Sequence, residues 1–177
     1  MKRLLVALVL IVVSVQPLVG DDRNPGVLKG LVGVRVVVEE LSDHAKEAGL
    51  TKQSLRIAAE LRLRTHGIRV LTNEERLSSP SGAYLYVNVS AFKRSYHEGL
   101  VYDCSVSLRE AVTLLRGSQQ KVNSATTWRA AVTFGITPSN DFANEIVSLV
   151  KEQVDEFIND YLRDNPREQA PSQGSSP

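Results

Sequence analysis

His44, His66, His97, Cys104 and the carboxylate pairs Glu39-Glu40 and Glu74-Glu75 are the side chains of this 177-residue chain best suited to chemistry. The three histidines lack the short, regular spacing that gathers metal ligands, and each falls at a loop or a helix end. They read as exposed polar residues. Neighbours on a strand point to opposite faces, so Glu39 and Glu40 are not placed to cooperate. Glu74 and Glu75 open a short helix, where negative charge favours the helix dipole. Asp43-His44 and a serine make a triad on paper, but with this many serines the match carries no information. The chain has no G-x-S-x-G, H-E-x-x-H, P-loop or dinucleotide fingerprint. The expectation is a protein with no catalytic residue, no cofactor and no metal.

What remains is the chemistry of interfaces. The stretch AYLYVNVSAF, residues 83–92, sends Leu85, Val87, Val89 and Ala91 one way and Tyr84, Tyr86, Asn88 and Ser90 the other. On the same polar side the next strand adds Asp103, Ser105, Ser107 and Arg109, and a further strand adds Arg129 and Thr133. Tyrosine and arginine are enriched where proteins meet. The same alternation also serves a plain solvated sheet face, so composition alone leaves both uses open. Cys104 alternates with Tyr102, Val106 and Leu108 on the inward side and reads as a small buried hydrophobe.

These residues need elements to hold them. The valine-rich VGVRVVVEEL (32–41) predicts a strand that is central, or covered on both faces. SDHAKEAG (42–49) reads as a loop. Thr51 is an N-cap for a helix running to His66, with Leu50 and Leu55 as a hydrophobic staple and Gly67 as its stop. Its apolar arc takes in Leu55, Ile57, Ala58, Ala59, Leu61 and Leu63, opposite a charged stripe of Arg56, Glu60 and Arg64. Arg62 falls inside that arc and is expected to lay its stem over the core edge and reach water, with an internal ion pair as the alternative use. IRVL (68–71) reads as a short strand, and T-N-E-E caps one helical turn at 73–77.

Strands follow at 83–93 and from Leu100, the second with a bend near Arg109-Glu110 so that Glu110 need not point inward. A polar hairpin loop spans 116–125, and TTWRAAVTFGI (126–136) is a strand with Trp128, Ala130, Val132 and Phe134 on one side. Phe142, Ile146, Leu149, Val150, Val154, Phe157, Ile158 and Tyr161 then recur at three- and four-residue steps, the mark of a long amphipathic helix over 141–163. The expected fold class is α+β, a two-layer sandwich in the order β-α-β-β-β-β-α. A mostly antiparallel sheet of about five strands carries two main helices on one face. Tyr84, Tyr86 and Asn88 would then lie on the uncovered face.

Residues 1–20 have the layout of a secretory signal: Lys2 and Arg3, an apolar run from Leu4 to Val15, then Gln16-Pro17 before Gly20. The run is short for a membrane span, so none is expected in the mature chain. Residues 27–165 form a single α/β domain and 166–177 a disordered Pro/Ser/Gln tail. Lys and Arg total 21 against 20 Asp and Glu. This near-neutral balance argues against nucleic acid as a partner. One cysteine cannot form an internal disulfide, and an exported chain of this size without one suits a bacterial periplasm.

The stretch VRVVVEEL…GLTKQSLRIAAELRLRTHGIRVL…NEERL, with AYLYVNVSAF and VDEFINDYLRDNP, resembles a family of small exported bacterial proteins of unknown function. More loosely, strand–helix–Gly–strand resembles the α/β modules of envelope proteins such as the N-terminal domain of TolB and the curli secretion protein CsgG. The resemblance implies a module that binds other envelope proteins or builds assemblies. The chain lacks the lipid-anchor cysteine of such relatives and the β-propeller of TolB. The sequence thus points to a non-catalytic exported module that binds an envelope protein or self-associates. A small-ligand or lipid carrier, with a pocket between helices and sheet, is the alternative.

Overall fold

The computed structural model describes residues 24–93 and 99–166. The expected signal segment, His97 and the tail from residue 167 onward lie outside the described residues. In chain order the elements are β1 (Arg35–Val38), α1 (Asp43–Glu47), α2 (Lys52–Thr65), α3 (Asn73–Ser78), β2 (Tyr84–Lys93), β3 (Gly99–Thr113), β4 (Lys121–Arg129), β5 (Thr133–Pro138) and α4 (Phe142–Asp164). The fold is α+β: an open five-stranded sheet, antiparallel except for the β1–β2 pair.

The 15-residue β3 is the spine of the sheet. One edge pairs with β2 along ten residues; the other is shared end to end by β4 and β5. The expected single strand at 126–136 is therefore broken. Trp128 and Ala130 point into the core, but the chain slips over 130–132 and Phe134 emerges on the far face, 76% exposed. A buried glutamine fills the break. Gln153 of α4 donates from Nε2 to the carbonyls of Cys104 and Ala131 and to Thr133 Oγ1, at 3.1–3.2 Å. A slipped strand leaves ladder carbonyls without partners, and the long amide side chain supplies the missing donor. Thr133 accordingly faces the core rather than joining Arg129 on the outer side.

The valine run at 32–41 shortens to four residues that pair with β2 alone. On its other side IRVL contributes one isolated bridge, Val34–Val70, rather than a strand. Only Val36 and Val38 of β1 are buried, so one face of it is covered and not both. Gly33 permits the bridge: a Cβ there would come within 2.6 Å of the Arg69 carbonyl oxygen.

Both long helices lie on one face, and α2, α4, α1 and the inward strand residues form one core cluster. Helix α2 starts where Thr51 accepts from Ser54 N–H and stops in a Schellman motif. There Ile68 N–H bonds the Leu63 carbonyl and Gly67 N–H that of Arg64. Of the expected arc, Leu55, Ala58, Ala59 and Leu63 are buried while Ile57 and Leu61 stay exposed. A flat sheet accepts one stripe of a helix, and residues 57 and 61 lie about 200° or more around the axis from Leu55. Arg62 does not end in water alone. Its guanidinium forms a two-pronged ion pair with Asp155 of α4, Nε standing 2.7 Å from Oδ1.

The loop at 42–49 contains the short helix α1, capped by Ser42, whose hydroxyl also donates to the Ala91 carbonyl at the end of β2. The hairpin loop is shorter than expected, since β4 begins at Lys121. Leu28, in the polar lead-in, is 1% exposed. Its N–H is bound by Asp164 and its carbonyl by Asn165, which ties the lead-in to the end of α4.

The open sheet face as candidate functional site

Strand register places the outward residues in rows. Arg35, Tyr84, Arg109 and Thr126 form one, and Val37, Tyr86, Ser107 and Arg129 the next. Further along β2, Asn88 stands opposite Ser105, then Ser90 opposite Asp103, which faces Phe134 of β5. The last row is Phe92, Val101 and Ile136. All eight residues expected to share this face do so: Tyr84, Tyr86, Asn88, Asp103, Ser105, Ser107, Arg109 and Arg129. The bend that frees Glu110 exists as register shifts after Leu108 and Glu110, and Glu110 accepts a 2.6 Å bond from the Thr127 hydroxyl.

At one end the face is aromatic and basic. The Arg109 guanidinium carbon lies 3.7 Å from the Tyr86 ring centroid, and that of Arg76, from α3, 5.5 Å from the Tyr84 centroid. Stacking of this kind is worth about 0.5–2 kcal/mol, and it fixes the plane of the guanidinium. The two tyrosine rings meet edge to face at 6.3 Å, and the Tyr84 hydroxyl is 2.7 Å from Ser124 Oγ. Arg109 Nε is buried without an acceptor, while its terminal amino groups reach solvent unpaired among the described residues. Ser107, between Tyr86 and Arg129 in its row, is buried.

The other end is apolar. Phe92 is 52% exposed and Ile136 62%, in the same row as the half-buried Val101 and beside Phe134. Phe92 follows Tyr84, Tyr86, Asn88 and Ser90 in strict alternation, so its place on this face was legible in β2. Phe134 and Ile136 were hidden by the slip at 130–132, for which no sequence signal is plain. Arg35 and Val37 were legible by alternation against Val36 and Val38 once the strand is granted one exposed face.

Beneath the face, Cys104 and Tyr102 are both buried. Burial, aided by Asp103, pushes the Cys104 thiol up to about 12. Burial and the hydrogen bond to Glu145 push the Tyr102 hydroxyl up to about 12. A thiol held protonated and out of reach is no nucleophile.

Among the described residues, two clefts open at the molecular surface. One of about 490 Å³ lies among His44, Glu47, Lys93, Leu100 and Asn140, and one of about 410 Å³ between α2 and α3, lined by Arg35, Arg56, Glu60, Arg64 and Glu74. The layer between helices and sheet is filled by side chains such as Leu55, Leu85, Ile146 and Phe157, each fully buried. Among the described residues no cluster of three or more His, Cys, Asp and Glu is placed to hold a metal. No helix among them is long and apolar enough to cross a membrane.

Comparison with protein families, with curated proteins and with solved structures found no match to this chain.

Proposed function

We propose that the chain is a non-catalytic, exported binding or assembly module that meets another envelope protein through the open face of its sheet. The observation that carries this reading is the face itself. Large side chains crowd one uncovered surface, with tyrosines stacked under arginines at one end and two phenylalanines and an isoleucine more than half exposed at the other. Single exposed apolar residues are ordinary, but a contiguous apolar group beside Tyr and Arg is the composition of an interface core. Export rests on the layout of residues 1–20, and the resemblance to envelope modules agrees with both.

The test is photo-crosslinking in the native envelope, with the crosslinking residue at Tyr86 or Phe134 and a control at Glu152 on the exposed side of α4. The expected result is a discrete adduct from the two sheet positions and none from the control. Equal adducts at all three positions, or none from a chain that is exported and folded, would overturn the reading.

A further inference from the structure

The open face carries a pattern that specifies the chemistry of its partner, an inference that rests on the binding reading above. Three guanidinia, those of Arg35, Arg109 and Arg129, stand on three strands within two adjacent rows, and Arg76 covers the neighbouring tyrosine. Arg109 and Arg129 have no carboxylate partner among the described residues. The contrast with the helical layer is plain, since there Arg62, Arg64 and Arg163 each hold an acidic side chain. Arg35 faces Glu74 across the cleft beside α3. Along β2 and β3, Asp103 stands opposite Ser90, about 13 Å along the strand from the row that holds Ser107 and Arg129. The basic end is therefore not neutralised from within its own rows.

Arg109 adds a second mark. Its Nε is enclosed without an acceptor and its plane is fixed by Tyr86, so its free amino groups are held ready instead of searching rotamers. A planar guanidinium with fixed orientation suits a carboxylate, which it grips through two parallel bonds. Serine and tyrosine hydroxyls nearby, those of Ser105, Ser124 and Tyr84, extend the donor set. About 26 Å farther along β2, eight residues on from Tyr84, the apolar row of Phe92 and Ile136 begins.

We propose that this face binds an extended protein segment about eight residues long, carboxylates at one end and bulky apolar side chains at the other. The carboxylates meet Arg109 and Arg129, and the apolar residues cover Phe92, Phe134 and Ile136. An anionic bilayer is the weaker match, because its surface attracts clustered flexible cations, whereas these arginines are stacked and spread over a sheet in a chain of near-neutral charge.

The probe is a synthetic peptide with glutamates at one end and leucine and phenylalanine at the other, titrated into the full chain while arginine Nε–H and isoleucine methyl resonances are followed. Saturable shifts at Arg109, Arg129 and Ile136 are expected, with binding weakened about tenfold or more in R109Q and in R129Q. Arg129 is exposed, so R129Q keeps the test intact should R109Q disturb folding. Equal binding of a peptide with lysines in place of glutamates would overturn the proposal. So would the same shifts from orthophosphate alone, which would leave a small-anion site, or from vesicles of phosphatidylglycerol. If the Phe134 crosslink forms in the envelope unchanged in R129Q, the acidic partner falls and the open-face reading stands. If that crosslink is missing in the wild type as well, both fall.

Discussion

Cys104 sits directly under the proposed binding face, on the inward side of β3 between Tyr102 and Val106. Its thiol is an acid whose ionised form burial disfavours, so its pKa rises to about 12 in the fold from near 8.5 in an unfolded chain. Below about pH 8.5 the thiol is protonated in both states and its contribution is fully present; as pH climbs toward 12 ionisation favours the unfolded chain and the contribution is lost. Tyr102 acts in the same sense, from about pH 10 upward. Two outcomes are expected. The native chain resists alkylation by iodoacetamide at pH 8 and reacts only once unfolded. Urea midpoints fall between pH 9 and 11, and fall less steeply in Cys104→Ala. Fast native labelling at pH 8 would show that the thiol is reachable and the face above it loosely packed.

At the scale of elements, the shared edge of β3 is where the fold is most exacting. Tyr102 lies across Gly135 of β5, and a Cβ on Gly135 would stand 2.6 Å from the tyrosine Cζ. That approach is too close for any side chain, and the ring in turn covers a backbone that glycine leaves bare. Gly135→Ala is therefore expected to destabilise the domain by about 1–3 kcal/mol, the cost of overpacking, in a chemical denaturation series. An unchanged midpoint for Gly135→Ala would mean that β5 is not held against Tyr102.

The same edge holds the feature of the fold that leaves no periodic signal in the sequence. The long helices were legible because each carries its own punctuation, Thr51 and Gly67 for α2 and a sustained apolar period for α4, whereas the five-residue α1 is too short to show a period. The outward set of β2 and β3 was legible because register keeps strict alternation from Tyr84–Arg109 to Ser90–Asp103. The slip at 130–132 was not, because it is stabilised from another element. Gln153 looks like one more polar residue of a helix until the strand carbonyls it satisfies are placed beside it. Asp160 behaves alike, accepting the Trp128 indole N–H at 2.8 Å from within the α4 stripe. Polar residues that serve a distant backbone or ring leave no periodic trace.

The molecule as a whole divides its labour between two faces. One is covered by α2 and α4 and holds the core; the other bears side chains whose exposure exceeds what packing requires. If the exposed apolar row serves stability, charging it should damage the fold; if it serves a partner, charging it should leave the fold intact. Phe134 and Ile136 alternate outward on β5, an edge strand with no charged residue between Ala130 and Asn140. Natural edge strands are guarded by lysine, so this edge stands open unless something covers it. The double change Phe134→Lys and Ile136→Lys is expected to shift stability by no more than about 0.5 kcal/mol in either direction, as exposed substitutions do. The same variant should lose the Tyr86 crosslink in the envelope and stay soluble at higher concentration than the wild type. A stability loss well above that range would place these side chains among the supports of the fold, and the apolar end would drop out of the binding surface. A fold that holds while the crosslink vanishes would assign Phe134 and Ile136 to the partner.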